Sequence, residues 1–499
     1  MRIARGLSYW VVLTLELVAI NVHAADFHVA PHGNDANPGT RAKPLATLER
    51  ARDAVRELKH AGPLTEPVTV WMQDGNYPLS REVRFGPEDS GTAACPITYT
   101  AAEGAAVVLD GGRRVTGWKK HNDILWVADV PDVASGSWRF RQLYVNGQQR
   151  VRARTPNQGY LLVAGCPEGT PKTAHYHKDC QTFQFKPGDI RPDWSNLSDV
   201  EVIVYHFWTD SHLPIKAVDT VSNLVTFAHK AGKTFTDDFS EEGARYIVEN
   251  VFEGLDAPGE WYLNRQTGQL FYYPMPGEDP TRAEVVAPFA ATHVRLEGNP
   301  AERRYVEHLH FRNLAFVHSR FELPAGNSND QQGSASVPAT ITLRGARHCA
   351  FEQCRLSNLG TFAFDVMAGC EENNSIEFNH IHHIGGVLSD MGGIYTLGVS
   401  PGTVIRNNHI HDVDANHYGG WGIYHDEGST HLLVENNVVH HTKCAPFNIH
   451  FAKEVTVRNN IFALGKLEQA SRGRTEPHKS VFFENNIVYW REGELLSKN

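Results

Sequence analysis

The chain has 499 residues, of which 41% are hydrophobic and 21% charged, and its formal net charge is −10. This composition is typical of a globular protein with room for two or three ordinary domains, or for one solenoid that carries an insertion. The excess of acidic residues argues against nucleic acid or an anionic membrane surface as a partner.

The N-terminal segment, residues 1–24, is expected to be a secretory signal peptide. Arg2 and Arg5 precede an apolar run over residues 7–22, and the segment ending at Ala24 suits cleavage. A membrane anchor is the alternative, but the run is short for a spanning helix and no other candidate follows. We therefore expect a secreted or periplasmic protein that makes no membrane contact once the signal is removed.

All seven cysteines lie after the signal, so a secreted chain could form disulfides. Cys166 and Cys180 share one loop-like stretch and are the pair we expect to be bonded. For Cys349 and Cys354 we expect burial as small apolar residues inside a coil.

Residues 25–124 are interpreted as an N-terminal cap and first coils. Strands are predicted at residues 27–30, Val68–Met72 and Ile97–Ala101, separated by turn signals. After Pro44, apolar positions predict a helix with one buried face: Leu45, Leu48, Ala51 and Val55. Such a helix suits the end of a solenoid, whose first open edge must be covered.

Residues 125–290 differ in pattern, because apolar and polar residues alternate there between turn signals. This alternation predicts an inserted domain rich in antiparallel strands.

Residues 291–499 contain a repeat with β-branched residues before an asparagine and an apolar residue after it. The later steps are roughly 23 to 29 residues, which is typical of a parallel β-helix, whereas the Leu pattern of leucine-rich repeats is absent. At the corner, Asn tolerates a left-handed backbone, and its amide can bond to the next coil. The chain ends soon after the last repeat, so we expect either a truncated C-terminus or an edge that a partner covers. The equivalent residues are taken as Asn313, Cys354, Asn379, Asn408, Asn437, Asn460 and Asn486.

The candidate catalytic acids are Asp390 and Asp426, in the segments SDMGGIYTLG and YGGWGIYHDEGS. Both segments share the 29-residue step, which places Tyr395 under Tyr424 and Leu397 under Asp426, all facing outward. Two acids beside one groove are what glycoside hydrolysis needs. Glu427 is kept as an alternative acid, and the acids could also be plain turn residues.

Other residues are assigned by their place beside the groove. Tyr395, Tyr424 and Trp421 are predicted to bind sugar, because aromatic faces stack on sugar rings. His450, on the next coil, and Glu476 and His478, on a later loop, are further substrate-binding candidates. Counting back one coil puts Asp365 in the inward column, which predicts a buried structural acid, and His425 is also predicted to face inward.

Several histidines fall beside the asparagine corner, where the repeat alone would place them. We interpret most of them as structural. A metal site is the alternative, but their spacing is not diagnostic, so we predict no metal and no cofactor. They are His380, His382, His409, His411, His440 and His441.

The opening VAPHGNDANPGTRAKPLATLERARDAV, the segments EDSGTAACPITYTA and LDAPGEWYLNRQTGQLFYYP, and the two acid-bearing segments together resemble glycoside hydrolase family 141. The resemblance spans nearly the whole mature chain. It implies an all-β fold, a right-handed parallel β-helix with an inserted β-domain, and α-L-fucosidase-like or xylanase-like action on plant polysaccharide. It also carries the catalytic acids onto Asp390 and Asp426. One departure is IHFAKE at 449–454, where such sequences often show His-Tyr-Gly.

Three functions compete. The first is a secreted, monomeric glycoside hydrolase acting on plant cell-wall-type carbohydrate. A polysaccharide lyase on the same fold is the second; it would abstract a proton with a basic residue, often beside Ca²⁺. The third is a non-catalytic carbohydrate-binding β-helix, which would tolerate the loss of both acids.

Overall fold

The computed structural model describes residues 26–169, 177–206, 208–236, 243–324, 326, 336–366 and 373–497. The expected signal peptide, residues 1–24, lies outside the described residues. Within those ranges, no helix is both long and apolar enough to cross a membrane.

A helix at Leu48–Ala61 covers the N-terminal end of the solenoid, as predicted. It begins after Thr47, whose hydroxyl accepts a hydrogen bond from the backbone N–H of Arg50 at 3.1 Å, a typical N-cap. Its apolar face packs on the strands Asp26–Val29 and Val83–Phe85. Leu45 is buried as predicted, but it lies before the helix.

The body is a parallel β-helix in which each coil contributes up to three short strands. The first sheet has ten parallel strands: Asp26–Val29, Val68–Met72, Ile97–Ala101, Leu309–Arg312, Ala350–Glu352, Ser375–Glu377, Val404–Arg406, Leu433–Glu435, Val455–Arg458 and Val481–Glu484. The strands that follow these at the corner form two sheets: Gly75–Pro78, Val107–Asp110, Leu314–Val317 and Arg355–Ser357, then His380–Ile384, His409–Val413, Val438–Thr442, Ile461–Ala463 and Ile487–Tyr489. The remaining series also forms two sheets: Val83–Phe85, Val294–Glu297, Ile341–Arg344 and Phe364–Val366, then Gly392–Thr396, Trp421–His425, Phe447–Ile449, Glu468–Arg472 and Glu494–Leu496.

The core runs inside the coils because each strand points alternate side chains inward. In one C-terminal coil these are Ile423, Val434 and Val439, each 0% exposed. Full burial of such side chains stabilises the fold by about 1.5–3 kcal/mol each.

A ladder of buried asparagine amides joins the five C-terminal coils, as predicted. Each Nδ2 donates to the Oδ1 of the next asparagine at 2.9–3.2 Å, in the order Asn379, Asn408, Asn437, Asn460 and Asn486. The left-handed residue, however, is the preceding one: φ is 55° at Phe378, 56° at Asn407 and 58° at Asn436. The predicted position of the left-handed turn is therefore wrong by one residue. The residue before each asparagine makes the turn, and the asparagine itself contributes the stacked amide.

The first two residues predicted to be equivalent in the repeat, Asn313 and Cys354, do not stand opposite each other. Ala315 pairs with Arg355, which places Leu314, rather than Asn313, opposite Cys354. Asn313 instead stands opposite Gln353, and both take a left-handed backbone, with φ of 53° and 54°. Asn313 therefore serves as the turn residue, a position that asparagine tolerates well.

The inserted domain consists of two mainly antiparallel sheets, each with its own core. One contains Gly112–Arg114, Val285–Pro288, Leu143–Val145, Gln148–Arg152, Glu260–Asn264, Gln269–Tyr272, Trp126–Asp129 and Lys119–Lys120. The other contains Arg154–Thr155, Leu161–Leu162, Arg245–Glu249, Glu201–Tyr205, Asp210–Asp219, Leu224–Ala231 and Cys180–Gln184. Short helical segments at Pro131–Ala134, Pro87–Asp89, Leu197–Asp199, Phe252–Gly254 and Pro300–Glu302, and the paired strands Val306–Glu307 and Ala346–Arg347, complete the secondary structure.

The β-helix strands that precede this insertion pair directly with those that follow it. Leu309 pairs with Ile97, and Leu314 pairs with Val107, although the whole insertion separates them in the chain. The predicted fold class, an all-β parallel β-helix with a capping helix and an inserted β-rich domain, is confirmed.

The predicted disulfide between Cys166 and Cys180 is wrong, since both thiols are free. Cys166 Sγ instead approaches the carbonyl oxygen of Phe235 at 3.2 Å, and Cys180 is buried in the core of the insertion. Cys349 and Cys354 are free and buried in the solenoid core, as predicted.

Candidate active site

The two acid-bearing strands, Gly392–Thr396 and Trp421–His425, pair in the predicted register. Ile394 stands beside Ile423, and Tyr395 beside Tyr424. Both isoleucines belong to the core, so the tyrosines lie on the outer side of the strands. The predicted inward position of His425 also holds: it is 0% exposed, and burial lowers its pKa to about 3.

Asp426 follows the second strand and receives two hydrogen bonds. The hydroxyl of Tyr395 donates to Oδ2 at 2.7 Å, and Nδ1 of His450 lies 2.7 Å from Oδ1. His450 comes from the next coil, just after Phe447–Ile449, so three successive coils contribute to this group. The side chain of Asp426 is 1% exposed, and its carboxylate is therefore held in one orientation.

Asp390 lies in the segment before the first strand, and its carboxyl group is close enough to Asp426 to be affected by its charge. Its backbone is left-handed, with φ of 56°, and its N–H donates to the carbonyl of Tyr418 at 3.0 Å. The hydroxyl of Tyr424 donates to Oδ1 at 3.2 Å, and that of Tyr418 also bonds to the carboxyl group. Burial, reinforced by the nearby charge of Asp426, raises the pKa of Asp390 to about 6, although these hydroxyls and His450 act in the opposite direction.

A glycine makes the close approach of these coils possible. Gly419 has φ of +92°, and a Cβ atom there would lie 2.8 Å from the backbone N of Asp390. A side chain at this position would push the acid away from its tyrosine partners.

Aromatic rings fill the space around the acids. The ring centroids of Tyr395 and Tyr424 are 5.0 Å apart, and those of Trp421 and Tyr424 are 4.4 Å apart. Tyr424 is only 3% exposed, so its ring has little free face and its hydroxyl serves Asp390 instead. Tyr395 and Trp421 remain half-buried, and Nε1 of Trp421 has no hydrogen-bond partner among the described residues.

The remaining predicted residues are Glu427, Glu476 and His478. Glu427 is exposed. Burial and the charge of Asp426 raise the pKa of Tyr395, and the charge of Glu427 adds a smaller effect in the same direction. His478 lies 3.0 Å from the carbonyl of Ala452 through Nε2, while Glu476 is half-buried on the same loop. That loop passes next to His450, because a Cβ at Gly473 would lie 2.6 Å from its ring.

The inward, buried position predicted for Asp365 is wrong. Its neighbours Phe364 and Val366 pack against the core, so Asp365 points outward and is exposed. The expectation assumed a uniform 29-residue step, whereas in the first sheet Glu352 stands opposite Glu377, 25 residues on.

Sequence reasoning missed contributions from two places. Tyr418 donates to Asp390, and its only sequence signal is its position before the glycines of the second segment. Arg245 of the insertion donates to the carbonyl of Val387 at 2.5 Å, and Leu388 packs on the insertion strands around Tyr205. The insertion thus supports the segment that leads to Asp390, a contact between residues too far apart in sequence to be predicted.

Comparisons with known proteins agree with this architecture. Residues 123–275 match the model of the GH141 insertion domain, and residues 334–492 match that of the right-handed beta helix region. A solved structure of a glycoside hydrolase superposes with a TM-score of 0.67, covering 93% of this chain and 96% of that chain at 20% identity. The likeness to that structure is a likeness of fold.

Two curated relatives match shorter segments. Pectate lyase PEL9 of Emericella nidulans is 31% identical over 106 residues, which is 21% of this chain and 22% of that protein. The protein YwoF of Bacillus subtilis is 30% identical over 122 residues, 24% of this chain and 23% of that protein. The matches thus span less than a quarter of either relative.

The fold and the insertion together define a right-handed parallel β-helix that carries an insertion domain of the GH141 type.

Proposed function

We propose that this protein hydrolyses glycosidic bonds in plant cell-wall-type polysaccharide or oligosaccharide, with Asp390 and Asp426 as its catalytic pair. The observation that carries the proposal is the unlike environment of two neighbouring acids. The pKa of Asp390 is raised to about 6, while Asp426 is bonded to Tyr395 and His450. Neighbouring carboxyl groups whose environments differ in this way can divide the acid and base roles of glycoside hydrolysis.

Asp390 takes the role of general acid. A carboxyl group with a pKa near 6 keeps its proton in mildly acidic solution and can give it to the leaving glycosidic oxygen. Tyr424 and Tyr418 orient the carboxyl group through their hydroxyls.

Asp426 takes the second role, as the nucleophile or as the base that activates water. Its position is fixed from two sides by Tyr395 and His450, so a sugar carbon or a water molecule would meet a preoriented carboxylate. The side chain of His450 is 27% exposed, so the ring would meet a substrate hydroxyl while Nδ1 stays on Asp426.

The proposed substrate class rests on resemblance. Family 141 sequences suggest fucosidase-like or xylanase-like action, and a segment of the chain is similar to a pectate lyase. The finer proposal is a secreted or periplasmic monomer that acts on pectic or xylan-type chains. The aromatic residues Tyr395 and Trp421, with His450, Glu476 and His478, would line the groove that holds the sugar.

A screen of aryl glycosides and plant polysaccharides tests the proposal. We expect release of reducing sugar that is lost in both Asp390→Asn and Asp426→Asn and kept in Asp123→Asn, an exposed acid of the insertion. Full hydrolytic activity in either of the first two variants would overturn the assignment. A product that absorbs in the ultraviolet, formed only from uronate-containing chains, would establish the lyase alternative instead.

A further inference from the structure

A group of exposed and half-buried imidazoles lies on the outer side of three adjacent strands, His380–Ile384, His409–Val413 and Val438–Thr442. The inward residues between them, Ile410 and Val439, are 0% exposed, so strand alternation points the histidines to solvent. These strands belong to a different sheet from those that carry Asp390 and Asp426. We call this surface the histidine ladder; its members are His380, His382, His383, His409, His411, His440 and His441.

The ring nitrogens of the ladder point at one another across the coils. Nε2 of His380 lies 2.7 Å from Nε2 of His411, and Nε2 of His409 lies 2.8 Å from Nε2 of His440. His380, His409 and His411 each offer one ring nitrogen, and these three atoms all lie within 4.8 Å of one another. Small ring rotations would bring three nitrogens to the separation of about 3.3 Å that tetrahedral zinc requires.

An acid orients the central ring. Oδ2 of Asp412 lies 2.7 Å from Nδ1 of His411, which favours the tautomer that carries its proton on Nδ1. Nε2 of His411 is then left with a lone pair, directed at the other rings. This carboxylate–histidine arrangement is the one that supports histidine ligands in metal sites.

We propose that the histidine ladder binds a divalent transition-metal ion of the zinc class through Nε2 of His380, His409 and His411. Imidazole nitrogens suit Zn²⁺, Cu²⁺ and Ni²⁺, and a set of three leaves the fourth position to water or to an external ligand. Since the three ligands come from two neighbouring coils, the ion would tie those coils together on a surface separate from the acids.

Titration of the purified chain with Zn²⁺ at pH 7.5, followed by calorimetry, tests this site. We expect one ion per chain, with a dissociation constant at least thirtyfold weaker in His411→Gln and ten- to a hundredfold weaker in Asp412→Asn. His348→Gln is the matched control, because it removes a histidine from a separate group of potential ligands, Glu307, His308 and His348.

Thermal unfolding with and without Zn²⁺ keeps the test independent of folding defects. Zn²⁺ should raise the unfolding temperature of the unaltered chain and of His348→Gln, but not that of His411→Gln. Equal Zn²⁺ affinity in the unaltered chain and in His411→Gln would overturn the proposal, as would loss of binding only in His348→Gln. Hydrolysis should be retained in His411→Gln, so failure of this proposal is distinguishable from failure of the proposed catalytic pair.

Discussion

The phenolic oxygen of Tyr395 lies 2.7 Å from Oδ2 of Asp426, and the tyrosine comes from the coil before the acid. Because the acid is almost fully buried, this hydrogen bond fixes its orientation with little competition from water. In Tyr395→Phe we expect kcat to fall about 10- to 100-fold, since a hydrogen bond to a charged group contributes roughly 1.5–3 kcal/mol. Steady-state kinetics, with Tyr489→Phe on the last coil as the control, would measure this; an unchanged kcat would remove Tyr395 from the site.

The rate of hydrolysis should decrease as the pH rises above the pKa of Asp390. Asp390 must be protonated to act as the acid, and its pKa is raised to about 6. We therefore expect kcat/KM to fall about tenfold per pH unit above that value. A profile on an aryl glycoside checks this, and a substrate whose leaving group needs no proton should show a much weaker alkaline decline.

The same raised pKa predicts that Asp390 destabilises the fold in neutral solution. The folded state holds the proton to a higher pH than the unfolded chain, whose aspartate pKa is about 3.9. Stability from this group is thus present at low pH and is lost as pH rises through about 4 to 6. Asp390→Asn should therefore raise the unfolding temperature more at pH 7.5 than at pH 4. An equal shift at both pH values would contradict the stated cause.

Gly419 offers a matched pair of substitutions. In Gly419→Ala the new Cβ would lie 2.8 Å from the backbone N of Asp390, so we expect activity to drop at least tenfold. Gly386 has the same φ of +92° but no atom within 4 Å of its Cβ position. Gly386→Ala therefore carries the same backbone strain without the collision. Comparable activity in the two variants would show that strain, rather than contact with Asp390, sets the effect.

The asparagine ladder should dominate the stability of the C-terminal coils. The amide of Asn437 bonds to Ile405, Asn408 and Asn460, and the residue is 1% exposed. Asn437→Ala would leave several buried polar groups unpaired, and we expect a loss of about 2–4 kcal/mol in the free energy of unfolding. Asn436→Gly, at the exposed left-handed turn before it, should change that free energy little. Urea unfolding of both variants provides the comparison.

The sequence predicted those features that depend on local periodicity. Tyr395 and Tyr424 share a column because the repeat keeps a step of 29 residues there, and the asparagine amides stack for the same reason. The predicted register was wrong outside that stretch, at Asp365 and at Asn313.

Contacts outside the repeat could not be predicted from periodicity. Tyr418 and Arg245 reach the segment around Asp390 through tertiary packing, and nothing in their spacing indicates it. The burial of Tyr424 likewise depends on how neighbouring rings pack. Its ring was predicted to stack on sugar, but the ring is buried and its hydroxyl donates to Asp390.

The closure of the solenoid across the insertion has a consequence for how the chain folds. Coils in the C-terminal half meet neighbours 23 to 29 residues away, whereas Leu314 pairs with Val107 only after the insertion has been bridged. Joining distant segments costs more conformational entropy, and slow folding accompanies long-range contacts. If the insertion collapses early, it brings those two strands together and shortens the search. The inserted domain would then act as an internal folding aid for the β-helix as well as a support for Asp390.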